Sequence, residues 1–423
     1  MEIPGEMKTA ARRITTVLFG SMGLGSAAFI AMATVGTIAG AELSGNAAWA
    51  GLPAMVLLLG SAISAPLWGK VMDLIGRRWS LAIALATGVL GAGASVLGLE
   101  TRSLPLFLLG AALLGGAQSA GQLSRFAAAE VHLPEARGRA ISTVVVGGTF
   151  GAIFGPILVA PSGRLMLALG LTEISGPYAA GGVLLALGAV LIALSLRPDP
   201  KDLGREIARL LPVTNALASA PRRSLREILT QQGALVAVIS MVIGQMVMVM
   251  LMVITSLHMK SHQHNLADIS VVISSHTLGM YAFSILSGRL TDRWGRERVI
   301  ALGAILLVAA SISAPLSPEV FPIAGALFLL GLGWNLCYVG GSSLLADHLL
   351  PEERATVQGF NDLLVGLASA GGSLASGLVF SSAGYATMGA LCAVAALIPL
   401  ALGSWRLLSL RPMVPAREEL PGS

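Results

Sequence analysis

The sequence predicts an all-α membrane protein, with twelve transmembrane helices in two pseudo-symmetric six-helix bundles. Three observations predict it. Of the 423 residues, 55% are hydrophobic and only 12% are charged, against about 25% charged in ordinary soluble domains. Apolar segments long enough to cross about 30 Å of hydrocarbon recur along the whole chain. Two polar motifs occur twice, at nearly the same interval.

The apolar segments fall near 14–40, 48–68, 79–99, 104–127, 141–160 and 178–196. A polar stretch, 197–232, interrupts them, and its 205–211 portion reads as a surface helix. Six more follow near 233–257, 269–290, 299–316, 320–346, 357–380 and 385–404. The expected organisation is therefore a bundle over 1–196, a linker over 197–232, and a second bundle with a tail over 233–423. The 51 glycines suit helices that approach closely in lipid. The polar start, with Lys8, Arg12 and Arg13, precedes no small-residue cleavage site, so no removable signal peptide is expected.

Twelve crossings put both ends on one face, and basic residues say which. All 27 lysines and arginines except Arg102, Arg125, Arg164 and Lys260 fall in the tails, the linker and the loops on the terminal side. The termini are expected to be cytoplasmic. The net charge of +5 follows this topology and implies no nucleic-acid partner. Cys337 and Cys392 lie in apolar runs without C-x-x-C spacing, which excludes a disulfide framework. No motif points to an enzyme.

The motif pairs argue for duplication. Gly69-Lys-Val-Met-Asp73-Leu-Ile-Gly76-Arg77-Arg78 follows the second span. Gly288-Arg-Leu-Thr-Asp292-Arg-Trp-Gly295-Arg296 follows the eighth, 219 positions later. Pro134-Glu-Ala-Arg137 and Pro351-Glu-Glu-Arg354 repeat at a separation of 217. Two independent pairs at almost one interval indicate a repeated six-helix unit.

A second feature is chemical. Six of the 16 methionines crowd into 241–259, and four of the six histidines lie within 245–280. Residues four apart share a helix face, which pairs Met248 with Met252 on span seven and His276 with Met280 on span eight. Thioethers and a neutral imidazole form a soft ligand set suited to Cu(I). From the outer ends of their spans, Met252 and Met248 lie about 8 and 14 Å deep, and His276 and Met280 about 11 and 17 Å. A methionine stripe is also ordinary core filler, and a lone histidine is also a proton carrier. His258, Met259, His262 and His264, at the outer loop, read either as a metal-collecting group or as a solvated loop.

The doubled G-x-x-x-D-x-x-G-R loop resembles the signature of the major facilitator superfamily, and the resemblance covers nearly the whole chain. It implies alternating access, and a conformational latch at Gly69, Asp73, Gly76, Arg77 and Arg78, echoed by Asp292 and Arg296. In that family the loop acid lies against a neighbouring helix end, as a carboxylate favours a helix N-terminus and an Arg partner. Gly147, Gly151, Gly155 and Pro156 in span five resemble the superfamily's antiporter motif, and equally suit close packing. The Arg that proton-linked drug exporters carry in span four is absent from 109–116.

Within the superfamily, M-x-x-x-M in span seven and H-x-x-x-M in span eight resemble the CcoA-like copper importers. That resemblance implies copper as transported substrate, a role in cytochrome oxidase assembly, and no organic cofactor. Met246 and Met250 form an overlapping pair, and Met248 with Met252 best continues the family's pattern. The expected function is copper import by a monomer in the lipid bilayer of a bacterial inner membrane. Transport of a small organic molecule, vitamin-like or drug, is the first alternative. A copper-binding membrane sensor or assembly factor is the second. Trp334, Asn335, Cys337, Asn361 and Asp362 are further polar groups that read as cavity-facing; Asp362, near the inner end, reads equally as a partner of the basic loops, and Cys337 as a buried structural thiol or an extra soft ligand.

Overall fold

The computed structural model describes residues 4–210, 223–350 and 353–409. Pro351 and Glu352 of the second P-E-x-R motif lie outside them, as do Arg222, Arg411 and Arg417. Every described element is helical: α1 Gly5–Ser44, α2 Leu52–Ile75, α3 Arg77–Glu100, α4 Leu104–Glu130, α5 Pro134–Phe154, α6 Val159–Ala168, α7 Ser175–Ser195, α8 Pro200–Leu210, α9 Leu225–Leu229, α10 Gln232–Ser261, α11 Leu266–Tyr281, α12 Ser284–Trp294, α13 Arg296–Ser313, α14 Val320–Asp347 and α15 Arg354–Ser409, with short 3-10 turns between some of them.

Eleven segments among the described residues are long and apolar enough to cross a membrane. The last spans 50 residues and supplies two crossings, because α15 folds at Gly384 (φ 79°, ψ 176°). Only a residue without Cβ takes that backbone conformation at little cost. Arg223 binds Glu353 just before α15, and Arg406 near its far end binds Glu297. Both ends of α15 therefore lie on the terminal face, as a folded pair requires.

Two predicted spans are broken rather than continuous. The fifth divides into α5 and α6 around Pro156, which brings no N–H to a helical ladder. The eighth divides into α11 and α12 at Ala282 and Phe283 without proline or glycine. Asn335 of α14 holds that break. Its Nδ2 donates to the Met280 carbonyl at 2.7 Å and to Ser284 Oγ at 3.0 Å, and its Oδ1 accepts from Ser287 Oγ at 2.5 Å. In hydrocarbon a freed carbonyl has no water to turn to, so a side chain must satisfy it.

Helices α1 to α7 pack chiefly on one another, as do α10 to α15. Small residues set their distances. Gly147 and Gly151 of α5, and Gly155 just after it, lie against the Phe19, Gly23 and Ala27 carbonyls of α1; a Cβ on Gly155 would stand 2.7 Å from the Ala27 oxygen. The stripe thus acts in close helix packing. Exposed leucines, isoleucines and valines, including Ile63, Leu90, Leu194, Ile285 and Val394, cover the outer surface. Lipid rather than water suits that surface.

The bundles meet through α2 with α15, α1 with α10, and α5 and α6 with α11. On the face away from the termini the contact is close. Ser373 Oγ of α15 donates to the Gly51 carbonyl at 2.9 Å. A Cβ on Gly377 would lie 2.5 Å from the Ala48 carbonyl, and one on Gly163 3.2 Å from Leu266.

Candidate functional site

Between the bundles, nearer the terminal face, lies a cavity of about 550 Å³. α2 contributes apolar wall such as Leu58 and Ala62, and α15 contributes Leu363 and Leu367. Its larger polar groups are Gln122 and Arg125 from α4, Tyr338 from α14 and Asp362 from α15, with Ser61, Ser119 and Ser369 between them. Gln122 also borders a smaller cavity of about 120 Å³, lined by Gln118, Ser26 and Tyr281. Tyr281 sits at the end of α11, beside the break that Asn335 holds. Trp334 stacks on Tyr338 with ring centres 5.1 Å apart, and its Nε1 donates to Gln245 Oε1 at 2.6 Å. The tertiary structure thus gathers Gln122, Arg125 and Tyr338 with Asp362; in the sequence Asp362 is expected at the cavity, and Arg125 stands out only as a basic residue off the topological pattern. Isolated glutamines and tyrosines in apolar spans carry no spacing pattern that would reveal them.

Among the described residues lining these two cavities, Met248, Met252, His276 and Met280 do not figure. His276 and Met280 turn toward α14. His276 is fully buried, and its Nδ1 lies 3.0 Å from the Leu327 carbonyl. A carbonyl only accepts, so Nδ1 carries the proton. Nε2 is buried and has no hydrogen-bond partner. Met280 borders Gly331 of α14, where a Cβ would stand 3.2 Å from its Cγ. Met246 and Met250 lie against Gly372 of α15. Met248 is buried and Met252 half-buried. α10 packs mainly on α15 and α14, and α11 mainly on α14, so the helices carrying the two ligand pairs share little surface. No cluster of three or more His, Cys, Asp or Glu able to hold a metal occurs among the described residues. Cys337 is buried, with its Sγ 3.6 Å from the Ile300 carbonyl.

In the outer group His258 and His262 stay together, and His264 departs. His258 stacks on Tyr385 with centres 4.1 Å apart, and His262 meets it edge-on at 4.4 Å. Tyr385 shares a 2.8 Å hydrogen bond with Thr255. His264 turns away, with Nε2 2.8 Å from the Pro318 carbonyl and Nδ1 3.7 Å from Asp268. Met259 is buried.

At the terminal face, Asp73 is 73% exposed and binds Arg77 Nη1 at 2.8 Å. The acid at a helix end is instead Asp199, after the last crossing of the first bundle. Its carboxylate accepts from the backbone N–H of Arg77 and Arg78, at 3.1 and 3.0 Å, and so caps α3. Gly76 (φ 88°) is required there, since a Cβ would stand 2.5 Å from the Asp199 carboxylate. Gly69 is open around its Cα, and Arg78 donates to the Ala193 carbonyl. Arg77 also forks onto Glu130 at the end of α4. The second repeat copies this: Arg296 lies 3.6 Å from Asp292 and 2.9 Å from Asp347, at the end of α14.

Two helical bundles meeting around a shared cavity are a form that secondary transporters take. The chain belongs to the Major Facilitator Superfamily, which matches residues 17–261 and 236–422, and it is a multi-pass secondary transporter of that family. It is 31% identical over 406 residues to the uncharacterized MFS-type transporter YdeG of Bacillus subtilis (strain 168), covering 95% of this chain and 94% of that protein. It is 29% identical over 381 residues to the riboflavin transporter RfnT of Brucella anthropi, covering 90% and 92%. Among solved structures, the D-xylose-proton symporter superposes with TM-score 0.67 at 17% identity, covering 91% and 96%. The nucleoside transporter NupG does so with TM-score 0.66 at 15%, covering 93% and 98%.

Proposed function

We propose that this protein carries a small organic solute across the bacterial inner membrane by alternating access, with its termini cytoplasmic. One observation carries the reading. The roomy space between the bundles is walled by apolar residues and holds a few convergent polar groups, which is the form of a small-molecule site. The broken eighth span, whose Tyr281 borders the smaller cavity that shares Gln122, fits a transporter site near the midplane. The relative described as a riboflavin transporter makes a flat, polar heterocycle the first solute to try. The basic terminal face supports the orientation. Tight contact on the far face, with the cavity toward the terminal face, is the form expected of a state open to the cytoplasm.

Copper import is the second reading. Its support is His276, whose Nε2 lone pair is buried and unpartnered. Against it, the four soft donors lie outside the cavity lining. Uptake into proteoliposomes separates the readings. Riboflavin or uridine accumulation that excess Cu(I) does not inhibit supports the organic solute. Copper accumulation that neither organic probe inhibits supports the metal, and copper binding without uptake supports a sensor or assembly factor.

A further inference from the structure

Arg125 and Asp362 stand in the same cavity, one contributed by each bundle. Arg125 lies five residues from the end of α4, about 8 Å inside the terminal face, and Asp362 lies eight residues into α15, about 12 Å inside. Tyr338 of α14 lines the same cavity. Yet the two charges do not pair with each other. Among the described residues Arg125 makes no ion pair, its guanidinium rests over the Phe126 ring at 5.0 Å, and its Nε is buried without a hydrogen-bond partner. Asp362 is exposed to the cavity, and its Oδ1 accepts from Gln358 at 3.0 Å. Charges at this depth are expensive and mark solute paths. A buried donor left unsatisfied costs free energy until something accepts from it.

From this arrangement, and resting on the organic-solute reading, we infer that Arg125 and Asp362 are the two poles of the solute site, and that the solute is net-neutral and dipolar. Acceptor oxygens of the solute meet Arg125, and an N–H donor or cationic nitrogen meets Asp362. A cavity whose own charges cancel neutralises both walls with such a solute, whereas a net anion gains at Arg125 and is repelled at Asp362. Phosphorylated analogues are therefore rejected.

The test uses the full chain, purified in nanodiscs, with riboflavin, uridine and their 5′-phosphates as probes in equilibrium dialysis. Wild type should bind at least one parent compound tenfold or more tightly than its phosphate. Arg125→Gln should weaken that parent by tenfold or more, the loss expected for a charge-assisted hydrogen bond. Arg125→Lys, which keeps the charge, should recover part of it. Asp362→Asn should narrow the gap between parent and phosphate to under threefold. Equal binding of parent and phosphate by wild type overturns the inference. Parent binding within twofold of wild type in both Arg125→Gln and Asp362→Asn also overturns it, leaving the charges to meet only when the cavity closes. If wild type binds none of the four probes, the organic-solute reading falls with it.

Discussion

Arg77 grips Glu130 with a two-pronged hydrogen bond, Nε at 3.0 Å and Nη2 at 2.6 Å, and so ties the start of α3 to the end of α4. The guanidinium is the hub of the terminal face, since it also holds Asp73. The two acids differ in exposure, 35% for Glu130 and 73% for Asp73. Glu130→Gln should therefore lower stability by about 1 kcal/mol, and Asp73→Asn by well under that, as exposed pairs contribute little. Thermal unfolding of the purified variants measures both, and a larger loss for Asp73→Asn would break the assignment. Asp73→Asn should slow transport while leaving solute binding intact.

Asn335 secures the broken eighth span. Asn335→Leu leaves the Met280 carbonyl and Ser287 hydroxyl without their partner in a dry interior, at a cost of about 1–3 kcal/mol. Asn335→Asp retains an acceptor for Ser287 and loses the donor to Met280. Both variants should transport poorly at matched abundance, and full uptake by Asn335→Leu would show that the break is held in another way.

The outer seal rests on the close passage of Gly51 and Ser373. Any Cβ at residue 51 would collide with the Ser373 carbonyl. Gly51→Val should hold the bundles apart on that face and shift the protein toward the state open there. Thiol labelling of a Ser373→Cys reporter should then speed up several-fold in the Gly51→Val background. Unchanged labelling would mean that the contact does not limit opening.

The linker's far end is tethered by Arg223 to Glu353, whose Oε2 lies 2.6 Å from Nη2. Hydrogen bonding to the guanidinium holds the Glu353 carboxyl down at about 2. A carboxyl depressed in the folded state contributes stability that is complete above its unfolded value, about 4.3, and is lost as pH falls toward 2. The melting temperature of wild type should exceed that of Glu353→Gln by a constant margin from pH 7 to 5, and the margin should shrink below about pH 4. A margin that grows on acidification would contradict the pairing.

The methionines separate the two functional readings. Met→Leu roughly conserves volume and should cost under about 1.5 kcal/mol. If the solute is organic, the Met248/Met252 and Met246/Met250 double Leu variants and Met280→Leu should each keep uptake within about twofold. If copper is carried, Met248/Met252, His276→Ala and Met280→Leu should abolish copper uptake while Met246/Met250 tolerates change. Uptake assays at matched abundance decide between these outcomes.

By itself the sequence determined the fold class, the number of crossings and the repeat. Hydropathy over 20 residues is a local property, and a duplicated loop such as Asp73-to-Arg77 and Asp292-to-Arg296 remains visible wherever it occurs. It also marked the Met and His pairs by their spacing, because i and i+4 share a face on any helix. Which helix that face meets is not local. Only the tertiary structure turned His276 toward Leu327 and Met250 toward Gly372, set Asp199 rather than Asp73 at the start of α3, and brought Arg125 and Asp362 into one cavity from positions 237 residues apart. Those relations depend on how close each pair of helices can come, and glycines such as Gly331, Gly151 and Gly51 set that distance. A charge or an amide in an apolar span has no meaning until the packing decides whether it faces lipid, a neighbour or an open space between two bundles.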